Sequence, residues 1–358
     1  MKIFKKIIIL VCFGFVFCSI FACSSKNEVK NDTSTAVSNE TETTDNKKQI
    51  KVVSTIFPIY DIVRNVAPND NYEMTLLLDS GIDIHNFSPT AKDIVKIAEA
   101  DLFIYVGGES DKWVDKVVAT AQNKNLKTIN LMDELGNLVK EEEVVEGMQH
   151  EHEEGEENEY EEGEAHEEGE NHEEHEHEEH ENDEHIWLSL RNAKVMTNAI
   201  AKKLIEIDSE NQTEIQKKVN AFVEKLDALD KKYVEVAQNK KYDTVVFGDR
   251  FPFRYLVDDY GLKYFAAFSG CSAEAEASFE TVVFLAKKLD ELGLKHICAL
   301  KGVEPKVAKT VVNASDDKNR DIVLFNSMEG ITNVNDAENT NYLKIMEENL
   351  EAFTKAIN

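Results

Sequence analysis

The sequence predicts an α/β protein of two lobes, each built on a mostly parallel four-stranded sheet, with a long rigid helix joining them and a cleft between them. Short apolar runs alternate with amphipathic helical segments on both sides of residues 191–240, as expected for parallel sheets covered by helices. Residues 191–240 instead carry one long helical stripe. A length of 358 residues is enough for two such domains.

The N-terminal lobe is predicted over residues 50–190. Apolar strands that alternate with helices indicate a parallel sheet with both faces covered. The predicted order is strand 50–55, helix 57–67, strand 72–78, helix 90–100, strand 102–106, helix 111–121 and strand 126–130.

The connector, residues 191–240, is predicted to be helical. Its apolar residues recur at steps of four and three, and we expect this stripe to pack on the protein's own core rather than on a coiled-coil partner. The stripe consists of Ile215, Val219, Phe222, Leu226, Leu229, Tyr233 and Val236.

The C-terminal lobe, residues 241–358, repeats the alternation. Two lobes of this kind place a cleft at the carboxyl ends of their strands, where ligands of open sheets bind. Its strands are predicted at 244–247, 263–268, 296–300 and 322–325, and its helices at 253–260, 279–292, 305–313 and 339–357.

The N-terminus predicts export and lipid attachment. Three lysines precede an apolar run that is short for a membrane span, so residues 1–22 are predicted to be a signal peptide, with an uncleaved anchor helix as the alternative. The run ends in Ile20-Phe21-Ala22-Cys23, which resembles a bacterial lipobox and implies lipidation of Cys23. The polar residues 23–49 are predicted to be a flexible tether.

Two cysteines remain in the folded part, Cys271 and Cys298. In an exported protein such a pair forms either a disulfide or two buried thiols. The sequence leaves both alternatives open.

Residues 141–184 form a segment with 24 Asp and Glu, seven His and no Lys or Arg, and they supply most of the net charge of −29. Few apolar side chains occur there, which predicts a disordered loop. Imidazoles bind zinc, copper and nickel, and carboxylates concentrate cations, so we expect the loop to collect metal; a solvated spacer is the alternative. Its histidines are His150, His152, His166, His172, His175, His177 and His180.

Two histidines outside this run of seven lie where functional loops are expected. His85 comes between the strand predicted at 72–78 and the helix at 90–100, and His185 directly follows the acidic segment. Loops at the carboxyl ends of strands commonly carry functional side chains. A single histidine of this kind is more often structural, whereas two beside a metal-gathering segment indicate a metal site.

Short motifs strengthen this interpretation. The pattern Gly-x-x-x-His-x-Phe-x-Pro-Thr at 81–90, Ala-Asp-Leu-Phe-Ile-Tyr at 100–105, Trp113 and His-Ile-Trp-Leu at 185–188 resemble the solute-binding lipoproteins of bacterial zinc and manganese ABC transporters. Further matches in the C-terminal lobe keep the same order. The resemblance implies one metal ion held between two lobes, with His85 and His185 as ligands. A His-rich acidic loop before the second ligand is typical of the zinc-specific branch.

The resemblance leaves the C-terminal ligands open. The family places a third ligand after the first strand of this lobe, where Asp249 or, in an alternative alignment, Arg250 stands. A fourth ligand is common after the last strand, here at residues 325–329. Glu274 and Glu276 follow another strand and are further oxygen candidates, with a solvated or helix-capping role as the competing interpretation.

We therefore expect an extracytoplasmic, lipid-anchored monomer that captures Zn²⁺, with Mn²⁺ less favoured, and delivers it to an ABC transporter permease. The alternative is a metal-sequestering or adhesin-type surface lipoprotein. Enzyme activity is not expected, because the sequence has no His-Glu-x-x-His, Gly-x-Ser-x-Gly or phosphate-loop motif. Nucleic acid is not an expected partner, because no basic stripe is present to neutralise phosphates.

Overall fold

The computed structural model describes residues 49–68, 71–79, 81, 83–148, 181–272, 276–331 and 333–358. These residues all lie in one compact unit, Lys47–Asn358. The predicted signal peptide, Cys23, the seven loop histidines and Glu274 lie outside the described residues. Within the described part of the chain, none of the helices combines the length and the apolar character that crossing a membrane requires.

Two four-stranded sheets, both entirely parallel, form the centres of two lobes, which confirms the predicted fold class. The N-terminal sheet has the order β2-β1-β3-β4 and the C-terminal sheet the order β6-β5-β7-β8. In each sheet the chain starts in an inner strand, moves to one side and then crosses to the other. Such a switch point is where open α/β sheets bind ligands. The strands are β1 Ile50–Ser54, β2 Tyr72–Leu76, β3 Leu102–Tyr105, β4 Lys127–Asn130, β5 Thr244–Phe251, β6 Lys263–Ser269, β7 His296–Leu300 and β8 Asp321–Phe325.

Helices connect the strands largely where the sequence predicts them. The prediction at 111–121 is the least accurate, because the chain forms a 3₁₀ turn at Glu109–Asp111 and then only the short helix Val114–Val118. The sequence does not predict the short helix Leu131–Leu135. The helices are α1 Phe57–Val66, α2 Ala91–Glu99, α3 Val114–Val118, α4 Leu131–Leu135, α5 Leu190–Ile207, α6 Gln212–Gln238, α7 Arg254–Asp259, α8 Phe279–Glu291, α9 Lys306–Ala314 and α10 Tyr342–Ala356.

The segment between the lobes contains two helices, α5 and α6, with a 3₁₀ turn at Ser209–Asn211 between them. The 27 residues of α6 span about 40 Å. Six residues of the predicted stripe are buried, whereas Val236 is half-buried and Ala237 is buried instead. The stripe belongs to a hydrophobic core that continues from the N-terminal sheet into the C-terminal lobe. It therefore packs on the protein's own core.

Buried polar contacts also join the lobes beside the cleft. The Trp187 Nε1 donates to the Ser327 carbonyl oxygen at 2.8 Å, and the Tyr342 hydroxyl donates to the Trp187 carbonyl oxygen at 2.7 Å. The backbone N–H of Tyr342 donates to Asp61 Oδ2 at 2.7 Å. Because both lobes share these bonds and one core, the floor of the cleft is a fixed platform for side chains above it.

The sequence predicts a disordered loop over residues 141–184, but residues at both ends of this range make ordered contacts with the fold, so the predicted loop is too long. The Glu142 N–H donates to the Glu181 carbonyl oxygen at 2.7 Å, and the Asp183 N–H to that of Lys140 at 2.9 Å. Two acidic side chains here have partners in the fold: Glu143 pairs with Arg254, and Glu184, which is only 1% exposed, accepts hydrogen bonds from Ser110. At these residues, charge density alone is therefore not a sign of disorder.

Candidate metal centre

His85 lies in the 3₁₀ turn Ile84–Asn86, which follows β2. Asp83 Oδ1 accepts a hydrogen bond from the His85 backbone N–H at 3.0 Å and starts the turn. The ring Nδ1 lies 3.0 Å from the Ser110 hydroxyl oxygen and 3.4 Å from Glu184 Oε2. A polar partner on Nδ1 orients the ring and leaves Nε2 available as the metal-binding nitrogen.

His185 is completely buried at the end of the acidic segment. Asp183 Oδ1 accepts from the His185 backbone N–H at 2.8 Å and lies 2.9 Å from its Nδ1. The imidazole also packs beside the Trp187 ring, with 5.3 Å between ring centres. Its Nε2 is thereby directed at His85, and the two Nε2 atoms are 3.3 Å apart.

Glu329 completes the group from the C-terminal lobe, after β8. The residue before it, Met328, is the only non-glycine among the described residues with a positive φ, at 65°. This left-handed conformation costs about 1 kcal/mol or more in a residue with a side chain. It turns the chain so that Glu329 Oε1 lies 3.4 Å from His185 Nε2 and 3.7 Å from His85 Nε2. That oxygen is buried and accepts no hydrogen bond from the described part of the chain.

The three atoms have the spacing of a zinc site. A tetrahedral Zn²⁺ with ligands at about 2.0–2.1 Å places neighbouring ligand atoms about 3.3–3.4 Å apart. The observed separations are 3.3, 3.4 and 3.7 Å. A buried carboxylate oxygen without a hydrogen bond is costly, and a cation between the three atoms would remove that cost. The donor set therefore fits a zinc ion after shifts of a few tenths of an ångström.

The charges of the group are coupled. Burial opposes ionisation of Glu329, but His185, Arg250 and His85 together lower its pKa to about 2. Burial likewise lowers the pKa of His185, but Asp183 and Glu329 outweigh it and raise the pKa to about 10. His185 and Glu329 thus stabilise each other's charged forms, and a bound cation would compete with a proton for His185.

Ser110 and Glu184 form a second layer around His85. Glu184 accepts hydrogen bonds from the Ser110 backbone N–H, at 2.8 Å, and from its hydroxyl. Gly108 makes room for this carboxylate, since a Cβ there would lie 2.4 Å from Glu184 Oε1, and its φ is +83°. Burial raises the pKa of Glu184, but hydrogen bonds from His85 and Ser110 lower it overall, so the carboxylate is ionised beside the His85 ring.

The C-terminal residues proposed from the sequence lie elsewhere. Asp249 accepts backbone hydrogen bonds from Arg250 at 2.9 Å and from Leu300 at 3.2 Å. Among the described residues, it belongs to none of the metal-capable clusters, that is, groups of three or more His, Cys, Asp or Glu whose ligand atoms lie within 4.8 Å of one another. Glu276 is exposed at the rim of a neighbouring cavity of about 460 Å³. Glu274 lies outside the described residues. Arg250 reaches across the cleft to Asp83, with Nη2 and Oδ2 2.6 Å apart.

Comparison with known proteins identifies the family of the chain. The sequence profile of the family described as zinc-uptake complex component A, periplasmic (ZnuA), matches residues 52–356. The chain belongs to this family. The motifs around His85 and His185, which suggested such a family, lie within the matched range.

Among relatives, the chain is 28% identical over 311 residues to the zinc-binding lipoprotein AdcA of Streptococcus pneumoniae, covering 86% of this chain and 56% of AdcA. It is 27% identical over 312 residues to the high-affinity zinc uptake system protein ZnuA of Bacillus subtilis, covering 86% and 88% of the two chains. This member of the ZnuA family thus spans little more than half the length of its streptococcal relatives.

A solved structure shares the fold. The crystal structure of the Zn(II)-bound ZnuA-like domain of Streptococcus pneumoniae AdcA matches with a TM-score of 0.64 at 25% identity, covering 86% of this chain and 99% of that domain. Two parallel α/β lobes are therefore the architecture of this ZnuA-family chain.

Two residues near the histidines are not proposed as ligands from the sequence. From the sequence, Glu329 is included only within the range 325–329, where a fourth ligand is common. Cys271 is considered only for a disulfide or a buried thiol. Both cysteines are free thiols, so the disulfide alternative does not hold. The sulfur of Cys271 lies within 4.8 Å of a ring nitrogen of both His85 and His185. The sequence signal that could have identified them is their position, since both residues closely follow the carboxyl ends of strands.

Proposed function

We propose that this protein captures Zn²⁺ outside the cytoplasm and delivers it to an ABC transporter permease for uptake. The observation that carries the proposal is the triangle of His85 Nε2, His185 Nε2 and Glu329 Oε1, with edges of 3.3 to 3.7 Å and a buried oxygen that lacks a hydrogen bond within the described chain. Membership of the zinc-uptake family supports the same substrate. AdcA and ZnuA, named above, are described as zinc-binding and zinc-uptake proteins.

The donor set favours zinc over manganese. Two imidazoles and one carboxylate suit Zn²⁺, whereas Mn²⁺ prefers sites dominated by oxygen ligands. Hydrogen bonds to Asp183 and to Ser110 hold both rings with Nε2 toward the ion before it arrives. Because little of the N-terminal half has to reorganise, binding should be tight for an ion of tetrahedral preference.

We further propose that the chain acts as a lipoprotein anchored through Cys23, with the permease as its membrane partner. The lipobox-like sequence at residues 20–23 and the relative named as a lipoprotein support this. A tether at residues 23–49 would allow the folded unit to reach the permease while remaining at the membrane surface.

A metal titration and an uptake assay test the proposal together. The full chain, purified in detergent, should bind one Zn²⁺ in the cleft and prefer it strongly over Mn²⁺ in competition. Cells that lack the gene should regain growth in scarce zinc with the native chain and not with His185→Ala. Absence of a tight Zn²⁺ site that depends on His185 would refute the capture role. Tight binding without restored uptake would favour a sequestering or adhesin-type role.

The acidic loop is proposed to collect metal for the cleft. Replacing its seven histidines by glutamine preserves its length and leaves 141–148 and 181–184, which pack on the fold, unchanged. Uptake should then fall at scarce zinc and recover at abundant zinc, because weak, exchanging ligands matter only when the free ion is rare. Unchanged uptake at every zinc concentration would favour the spacer interpretation.

A further inference from the structure

We propose that the thiolate of Cys271 is the fourth ligand of the transported ion, completing a buried site for a thiophilic divalent metal such as Zn²⁺. This inference rests on the proposed function, since it concerns the same cleft. The two imidazoles and Glu329 form one face of a tetrahedron, and zinc sites of this kind take a fourth ligand from the protein or from water. The residues around these three ligand atoms indicate whether the fourth ligand is a protein side chain or water.

The sulfur of Cys271 is a donor that lies close to both histidines. It lies in the turn after β6, within 4.8 Å of a ring nitrogen of each. A tetrahedral zinc ion with a sulfur ligand at about 2.3 Å separates sulfur from nitrogen by roughly 3.5 Å, so the sulfur needs to come closer to each histidine nitrogen by at most about 1.3 Å. A side-chain rotation or a small loop shift is enough for that.

The residue before Cys271 allows this close approach. A Cβ on Gly270 would lie 2.9 Å from His185 Cε1, so only glycine lets the β6 loop come this near to the imidazole. The Cys271 backbone N–H donates to Glu142 Oε1 at 3.2 Å, which ties the loop to the base of the acidic segment. The approach of Cys271 to the site is therefore built into its surroundings.

Asp83 is the competing donor, and it is already engaged. It lies near His85 and Glu329 in a second cluster. Its Oδ2 is 2.6 Å from Arg250 Nη2, and its Oδ1 accepts the His85 backbone N–H at 3.0 Å. Coordination by Asp83 through Oδ1, which lies 4.0 Å from His85 Nε2, would compete with its hydrogen bond from the His85 backbone N–H, whereas coordination by Cys271 leaves both contacts of Asp83 in place.

The thiol also suits reversible capture. Binding forms the metal–sulfur bond and releases the thiol proton to solvent; release of the ion takes a proton back. A thiolate ligand would strengthen the preference for Zn²⁺ over Mn²⁺, and oxidation of the sulfur would weaken capture.

Cobalt provides the test, because Co²⁺ occupies tetrahedral zinc sites and reports a bound thiolate by an intense near-ultraviolet charge-transfer band. The full chain in detergent, kept reduced, is titrated with Co²⁺ as the native protein and as the Cys271→Ser and Cys298→Ser variants. The band should appear at one equivalent in the native chain and in Cys298→Ser, which alters a thiol buried in β7. It should be lost in Cys271→Ser, while the visible bands of bound Co²⁺ remain.

The outcomes separate the two proposals. One bound Co²⁺ without the band in the native chain overturns the thiolate ligand and leaves metal capture intact. No Co²⁺ binding that depends on His185 overturns both. If Cys271→Ser does not fold, the native and Cys298→Ser spectra still decide. Alkylation by iodoacetamide, mapped to Cys271 by mass spectrometry, gives a second measurement: Zn²⁺ should block it, and equal labelling with and without Zn²⁺ contradicts the proposal.

Discussion

The two sides of the metal cleft are built differently. On the N-terminal side, each imidazole has a polar partner on its Nδ1, 2.9 Å away in His185 and 3.0 Å away in His85. On the C-terminal side, Glu329 Oε1 has no hydrogen bond within the described part of the chain and follows a left-handed residue. The difference suggests a division of labour, in which the histidines define the position of the ion and the C-terminal side supplies charge.

The largest expected effect comes from removing an imidazole. A structural zinc site of four ligands contributes about 10–16 kcal/mol, so one ligand is worth about 3 kcal/mol, and His85→Ala or His185→Ala should raise the Kd for Zn²⁺ at least about a hundredfold. His296→Ala is the matched control, because His296 lies at the first residue of β7 and outside the metal-capable clusters of the described residues. Isothermal titration with a competing chelator measures the effect. Tight binding that survived both substitutions would remove the N-terminal side from the site.

The next effect tests the opposite side. Glu329→Gln keeps the shape and removes the charge, so the Kd for Zn²⁺ should rise about tenfold to a hundredfold. Asp249→Asn, at the residue that the sequence favoured, should change the Kd by less than about threefold, because its oxygens accept backbone N–H groups. The same competition titration compares the two. The reverse ranking would restore Asp249 as the C-terminal ligand.

The N-terminal side of the cleft could be predicted from the sequence, whereas the C-terminal side could not. His85 and His185 were identifiable because histidine is rare outside the acidic segment and each stands in a recognisable local motif. The alternation of strands and helices was likewise a local pattern, and it was enough to predict both parallel sheets. These features depend on neighbours in the chain.

The C-terminal side depends on tertiary contacts. The sequence predicts that β5 ends at Phe247, which makes Asp249 a loop residue; the strand continues to Phe251, with an irregular register between Phe247 and Arg250, and Asp249 bonds to backbone instead. Glu329 reaches the site through the unusual backbone of Met328, and Cys271 through the close approach of Gly270 to His185. Such contacts leave no repeating pattern of apolar and polar residues in the sequence.

A smaller effect should follow from loosening one histidine without removing it. Asp183→Asn replaces the carboxylate beside His185 Nδ1 by an amide, and partners of this kind change metal affinity about tenfold to a hundredfold. We expect the lower end, because Trp187 and complete burial still restrain the ring. Asp115→Asn, at an exposed residue of α3, makes the same chemical change away from the site and is the control. An unchanged Kd would show that packing alone orients His185.

The smallest effect on metal binding, together with a clear effect on stability, is expected at Asp111, beneath the His85 side of the cleft. This carboxyl is 5% exposed, and its Oδ2 accepts the Gly107 N–H at 3.0 Å. Burial, with the charge of Glu184, raises its pKa to about 7 in the folded protein against 3.8 for the ordinary group. The unfolded chain therefore ionises at lower pH than the folded one.

This difference destabilises the folded protein progressively as pH rises from about 4 to about 7, and by a constant amount above that. Each unit of pKa corresponds to about 1.4 kcal/mol, so Asp111→Asn should raise the free energy of unfolding by about 2–4 kcal/mol at pH 8 and leave it nearly unchanged at pH 4. Urea unfolding of metal-free protein at the two pH values measures this, with Asp115→Asn as the control. A gain in the free energy of unfolding that was equal at both pH values would mean that Asp111 is ionised throughout. The Kd of the Asp111→Asn variant for Zn²⁺ should stay within about twofold of the native value, because no metal-facing atom changes.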